Sequence, residues 1–356
     1  MVAHRAFIAL LSLIAVAGGG GAHLPRCDAQ DRAESPGQGE WSERSLRVGT
    51  LERWFRIYEP KSLPAQAPAV LLLHGGTQSM RKLFSPRAGG TRAWPAIADR
   101  EKLLLIVPNG VNPENGDTQG DSQNWNDLRS SGSDRESTAD DVAFLGMLLD
   151  ECLRRHKLDP RRIYVTGASN GGMMTYRLLI ETPERFAAAA TFIASLPADL
   201  PKTTRPALPT PVLIANGTQD PLVKWEGGLV RGQPGKLMSA PANRDWWIAA
   251  NRADRERGVE RALPDTSPDD GCRLYETLYP AGPEGASVLF LRMEGSGHAL
   301  PSLAHKLPDT VLIRRLIGPR CRDLEGAELA WKFLSQHQRT SSAGARDGAN
   351  APLIKK

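Results

Sequence analysis

The sequence predicts an α/β fold with a mostly parallel central sheet and helices on both faces. Two observations carry that expectation: five short apolar runs closed by glycine or polar turn residues, and helical patterns in the stretches between them. Arg53–Pro60 (RWFRIYEP) alternates and reads as a strand half-exposed to water. Pro68–Gly76 (PAVLLLHGG) is continuously apolar up to its glycines, as a buried central strand is. Lys102–Gly110 repeats that pattern, and Arg162–Ser169, Pro211–Asp220 and Ser287–His298 complete the set.

Helices fill the intervals. Ser137–Lys157 opens with Ser/Thr capping residues and acids in its first turn and ends on basic residues, which suits the helix dipole at both ends. Gly171–Phe186 carries a second helix, stopped near Pro183, and Gly326–His337 a C-terminal one. Residues 223–271 are rich in Trp, Gly, Pro and charge, with one helix around ANRDWWIAANR, and read as an insertion over the active edge. The tail 338–356 has no periodicity and reads as disordered; no internal repeat is evident.

The chain has 356 residues, of which 40% are apolar, enough for a substantial core. A net charge of +5 with interspersed signs, and no Lys/Arg block with interleaved aromatics, argues against a nucleic-acid partner. At the N-terminus, Arg5 precedes an apolar stretch, Ala6–Ala17, too short to span a bilayer and followed by small residues. Residues 1–29 therefore read as a secretory signal peptide, cleaved after Ala17 or Ala29, and 30–42 as a flexible lead-in to a catalytic domain over 43–337. A lipoprotein signal using Cys27 is the alternative, and Pro25 and Arg26 fit it poorly. The expectation is an exported or periplasmic protein without a stable membrane anchor. Loss of Cys27 would leave three cysteines. Cys152 reads as a buried thiol, while Cys272 and Cys321 are able to pair in an oxidising compartment.

The chemistry centres on Gly167-Ala168-Ser169-Asn170-Gly171. A G-x-S-x-G match is weak by itself in a chain with 34 glycines. Here the serine follows a buried strand and opens a helix, the strand-to-helix corner that a nucleophile elbow needs. The helix start also aims free N–H groups at this corner, so the Asn170 N–H is expected to be one oxyanion donor. The second is expected from the turn after the first buried strand, from the Gly76 or Thr77 N–H. His74 is expected to order that turn by hydrogen bonding. A serine needs a base, and His298 follows a buried strand directly, whereas His305 sits in a polar loop. Asp220, which ends its own strand, is the expected carboxylate partner, with the alternative of a plain turn former before Pro221. The order Ser, Asp, His is the one an α/β-hydrolase uses. No metal or other cofactor is expected, since no ligand spacing such as H-E-x-x-H is present.

Several motifs together resemble the esterase/poly(3-hydroxybutyrate) depolymerase family of α/β-hydrolases, which includes feruloyl and acetylxylan esterase-like members. They are LLLHGG, IVPNG, NWND (Asn124–Asp127), the long block from Ala139 to Ala190, NGTQDPLV, GSGH and GPRCRDLEGAELAWKF. The resemblance implies a secreted serine esterase with Ser169, Asp220 and His298 as its triad, acting on an ester substrate that is small or polymeric. Asp140 and Asp141 fall in the matching block and read as helix-cap residues. Where family members commonly carry an aromatic after the histidine, this chain has Leu300. Two alternatives remain at this point: a serine peptidase on the same fold, or a non-catalytic polymer- or carbohydrate-binding protein that uses Trp94, Trp125, Trp225, Trp246 and Trp247 to stack on sugar rings.

Overall fold

A computed structural model describes residues 37–86, 88–129, 137–230, 235–303 and 310–340. The signal-peptide stretch 1–29, the lead-in up to residue 36, His305 and the tail from residue 341 lie outside the described residues.

Ten strands form one sheet in the order β1-β2-β4-β3-β5-β6-β7-β12-β11-β10. They are β1 (Glu40–Val48), β2 (Leu51–Glu59), β3 (Ala69–Leu73), β4 (Leu104–Pro108), β5 (Ile163–Ala168), β6 (Ala188–Phe192), β7 (Val212–Gly217), β10 (Val259–Ala262), β11 (Arg273–Tyr279) and β12 (Val288–Glu294). The six strands from β4 to β12 are parallel, and the antiparallel pairs lie at the two edges. A small hairpin, β8 (Gly228–Leu229) with β9 (Lys236–Leu237), stands apart.

Alternation along each strand divides the core into two layers. Ala69, Leu71 and Leu73 of β3 face one layer, with Phe144, Leu148, Met174 and Trp247. Val70 and Leu72 face the other, with Trp94, Ile97, Ala330 and Phe333. The first layer is closed by α2 (Asp141–His156), α3 (Asn170–Glu181) and α4 (Ala240–Ala250), the second by α1 (Trp94–Glu101) and α5 (Gly326–Leu334). Both faces are therefore covered, as the long apolar runs require. This is the α/β-hydrolase arrangement. Among the described residues no helix is long and apolar enough to cross a membrane.

The structure corrects several expectations. Strand β1 starts at Glu40, inside the stretch read as lead-in. Strand β2 is not half-exposed: Arg53 and Arg56, on opposite faces of the sheet, are both buried, Arg53 over the Phe144 ring and Arg56 over Trp41. Their long apolar stems and aromatic partners let them occupy positions that polarity alone assigns to water. Helix α4, inside 223–271, packs into the core. Its Asn243 and Trp247 are fully buried; Asn243 Nδ2 donates to Tyr176 Oη at 2.9 Å, and Trp247 stacks on the same ring. Trp94, Trp125 and Trp247 are core residues, which removes three of the five tryptophans from any stacking surface. Residues 338–340 continue on the body of the protein, where the Arg339 N–H donates to the Arg161 carbonyl at 3.0 Å.

Candidate active site

Strand β5 ends at Ala168 and α3 begins at Asn170, so the chain must turn within one residue. Ser169 does this at φ 55° and ψ −125°, a backbone conformation that side-chain-bearing residues rarely adopt. Both of its backbone groups are held: its N–H donates to Phe192 O at 2.9 Å and its carbonyl accepts from the Met173 N–H at 2.9 Å. Its hydroxyl makes no capping bond although it stands at the N-cap, a position where serines usually do. The flanking glycines are required by space. A Cβ on Gly167 would run into the Gly171 carbonyl, and one on Gly171 into the Leu73 and His74 carbonyls. The turn is thus clamped between β3 and its own helix.

Asp220 and His298 follow the neighbouring strands β7 and β12. Their loops are pressed together where a Cβ on Gly217 would meet the Ser296 carbonyl. The Gln219 N–H donates to Ser296 O at 2.9 Å, and Gly295 N–H to Thr218 Oγ1 at 2.9 Å. Asp220 Oδ1 accepts from the N–H groups of Leu222 and Val223 at 2.8 and 2.9 Å, which fixes the carboxylate plane. Its other oxygen, Oδ2, lies 2.7 Å from His298 Nδ1. The aspartate side chain is fully buried and the imidazole 11% exposed, so the pair is sheltered on one side and open on the other. The His298 N–H donates to Ile317 O at 2.5 Å, and the Gly297 N–H to Pro319 O at 2.7 Å.

That strap, residues 317–321, is itself anchored. Cys321 is joined to Cys272, and its carbonyl accepts from the Ser302 N–H at 3.0 Å. Leu300, at the position where the resemblance leads one to expect an aromatic, packs beside Gly90 and Gly326. Cys152 is a buried free thiol pushed up to about 12 by its burial, too high to act as a nucleophile near neutral pH.

The turn after β3 runs alongside the elbow. A Cβ on Gly75 would lie 3.6 Å from Ser169 Cβ, and one on Gly76 would lie 3.6 Å from Asn170 Cβ. His74 beneath it is fully buried. Its Nδ1–H donates to Gly75 O at 2.8 Å and its Nε2 accepts from the Gly110 N–H at 3.0 Å. Burial pulls its pKa down to about 4, so the ring is neutral and orders the turn. Thr77, also at positive φ, has its N–H bonded to Asn124 Oδ1 at 2.9 Å.

The segment Asn124–Asp127 was legible in the sequence only as part of a resemblance, yet it makes the densest polar contacts in this region. Trp125 Nε1–H donates to His74 O at 2.9 Å, and the Trp125 N–H to Asn170 Oδ1 at 2.7 Å. Asn170 Nδ2 donates to Asp127 Oδ2 at 2.7 Å and to Trp125 O at 3.1 Å. The Asn126 N–H donates to Asp141 Oδ2 at 2.7 Å. Asp140 caps α2, accepting from the Ala143 N–H at 3.0 Å, as expected. Asp141 does not cap: it is fully buried, 2.5 Å from the equally buried Arg53. Burial pushes its carboxyl up, against the pull of Arg53 and the Asn126 N–H. No local pattern announces this pair, because its members are 88 residues apart.

Comparison with known proteins finds esterases among the relatives. The chain is 29% identical over 304 residues to the protein named "Putative esterase NocK" of Nocardia uniformis subsp. tsuyamanensis, covering 82% of this chain and 81% of that one. The chain has the α/β-hydrolase arrangement and is similar in sequence to esterases. The feruloyl esterase B of Piromyces equi is 32% identical over 166 residues, 45% of this esterase relative and 29% of the fungal protein. The poly(3-hydroxyalkanoate) depolymerase C of Paucimonas lemoignei is 29% identical over 142 residues, 40% and 31% of the two chains. This esterase relative therefore spans most of NocK but less than a third of the other two. Residues 114–196 match the model of the prolyl oligopeptidase family. That match contains the elbow and the 124–127 segment but neither Asp220 nor His298.

Proposed function

We propose that the protein is an exported serine esterase that cleaves carboxylic esters through an acyl-enzyme, with Ser169 as nucleophile, His298 as base and Asp220 as its orienting carboxylate. The observations that carry this reading are the 2.7 Å Asp220–His298 contact and, at the strand-to-helix elbow, a serine held at strained backbone angles. Ser169 Oγ attacks the ester carbonyl carbon while His298 Nε2 takes its proton. Asp220 holds the opposite ring nitrogen and stabilises the imidazolium that forms. The tetrahedral oxyanion is met by the Asn170 N–H, at the start of α3, and by the Gly76 N–H. Thr77 is the less suitable second donor because its N–H is already engaged by Asn124. His298 then protonates the leaving alcohol, and a water activated by the same ring releases the acid. Export is supported by the N-terminal signal pattern and by the buried Cys272–Cys321 disulfide, a feature of oxidising compartments.

The relatives' names point to three acyl classes for a test panel: methyl ferulate, acetylated xylan and a hydroxybutyrate oligomer, with a short-chain aryl ester as a general substrate. A peptide-bond substrate belongs in the same panel because the prolyl oligopeptidase match overlaps the elbow. Wild type is expected to release acid from at least one ester, and Ser169→Ala to lose that release by several orders of magnitude. Equal activity in the two proteins would sink the reading. Cleavage of the peptide in preference to every ester would favour a peptidase.

A further inference from the structure

Two chain segments, from separate parts of the fold, carry the groups assigned above to the oxyanion. One is the turn after β3 and the other is the first residue of α3. Both are gripped by Asn124–Asp127. Asn124 Oδ1 accepts the Thr77 N–H at 2.9 Å, on the turn. The Trp125 indole N–H donates to the His74 carbonyl of the same turn at 2.9 Å. On the helix side, the Asn170 side chain is bonded at both ends. Its Oδ1 takes the Trp125 N–H at 2.7 Å, and its Nδ2 gives to Asp127 Oδ2 at 2.7 Å. Asp127 is buried and held in turn by Arg129, whose Nη2 lies 2.8 Å from Oδ2.

We infer that Asn124–Asp127 is a clamp that sets the separation of the two oxyanion donors, with Asn124 and Asp127 as positioning residues for the Gly76 and Asn170 N–H groups. This inference rests on the serine esterase reading. Asn124 has a second consequence on the turn. By taking the Thr77 N–H it removes that group from competition and commits the turn to a single donor. Asp127 works through a side chain whose backbone N–H faces the reaction. A charged acceptor is well suited here, because bonds to charged groups are the stronger ones and resist rotation of the Asn170 amide. Oxyanion donors act on charge that develops in the transition state, so a displaced donor lowers kcat while leaving substrate binding nearly intact.

The test uses the full mature chain and four variants: Asp127→Ala, Asn124→Ala, Asn170→Asp, and the exchange Asn170→Asp with Asp127→Asn. Each single variant is expected to lose about 10- to 1,000-fold in kcat with KM changed by less than about 3-fold. Inhibition by a trifluoromethyl ketone, whose hemiketal oxyanion occupies the same hole, is expected to weaken in parallel. In Asn170→Asp two carboxylates face each other, so its kcat is expected to recover as pH falls and one takes up a proton, a dependence absent from wild type. The exchange variant again places an amide N–H against a carboxylate and is expected to regain much of the lost kcat. Three outcomes would overturn the clamp: wild-type kcat in Asp127→Ala and Asn124→Ala; a loss that equals the unfolded fraction seen by thermal melting; or a rise in KM with unchanged ketone affinity. The underlying triad fails separately, through an active Ser169→Ala.

Discussion

Asp220 Oδ2 lies 2.7 Å from His298 Nδ1, while the other oxygen of the same carboxylate accepts two backbone N–H groups from residues 222 and 223. One carboxylate thus both aims the imidazole and is itself aimed by the turn it starts. In Asp220→Asn the amide keeps much of that geometry but offers no negative charge. It is expected to lower kcat by about 10,000-fold with little change in folding, as loss of the correct histidine tautomer does in other triads. Steady-state kinetics on the best ester of the panel, with a thermal melt beside it, checks this. A loss of less than about 10-fold would remove Asp220 from the mechanism.

Gly171→Ala is expected to damage stability and activity together. Its methyl group would meet the Leu73 and His74 carbonyls, backbone groups at the end of a central strand and the start of its turn, which cannot step aside as a flexible side chain would. Overpacking of this kind costs about 1–3 kcal/mol or more. Urea titration of the purified variant reads the cost, and an alanine tolerated without loss would mean the elbow is looser than it looks.

Acid should weaken the fold through His74. Its folded pKa, about 4, lies below the ordinary histidine value of about 6.5 because burial disfavours the charged ring, which stands between two backbone groups. The lowered value means that protonation favours the unfolded chain. The contribution is fully present above about pH 6.5, declines as pH falls, and levels off once pH passes below about 4. A difference of this size corresponds to about 3 kcal/mol. His156 and His337 are also shifted downward by burial and act in the same direction. Unfolding free energies measured from pH 8 to 4, for wild type and His74→Asn, are expected to show a steeper loss for wild type. Parallel curves would assign the acid sensitivity to other groups.

Opening the Cys272–Cys321 bridge, by reduction or by replacing both cysteines with serine, is expected to cost about 2–5 kcal/mol. Activity is expected to fall before the protein unfolds. Cys321 ends the strap whose Ile317 and Pro319 carbonyls hold the backbone of His298 and Gly297. Comparing kcat with the folded fraction at increasing urea separates the two effects. Strictly parallel curves would mean the bridge acts on stability alone.

The sequence was most informative where structure is local. The parallel strands β3, β4, β5, β7 and β12 announce themselves as apolar runs because both faces of the sheet are covered. The elbow is readable because strand, glycine spacing and helix are contiguous. Strand β6, Ala188–Phe192, was not read, since an alanine-rich run has little strand character and is a strand only because it fills the gap between β5 and β7. The edge strands β10 and β11 were hidden by charge, with the exposed Arg261 paired across them to Glu276. The partners of Asn170 and Asp141 were beyond reach for another reason. Hydrogen bonds between residues 43 and 88 positions apart leave no periodic trace in a single chain.

The burial of Arg53 against Asp141 reaches further than the stability of two side chains. Removing the arginine alone would strand a carboxylate in the core, at a cost of about 3–5 kcal/mol. The same carboxylate carries Asn126, and Asn126 sits in the middle of the clamp. A protein shortened to start at β3 would keep Ser169, Asp220, His298 and the disulfide, and would still lack the counter-charge on which that loop leans. The hairpin of β1 and β2 is therefore part of the minimal enzyme, and a graft of this catalytic unit onto another scaffold has to include strand β2 or replace Asp141 as well.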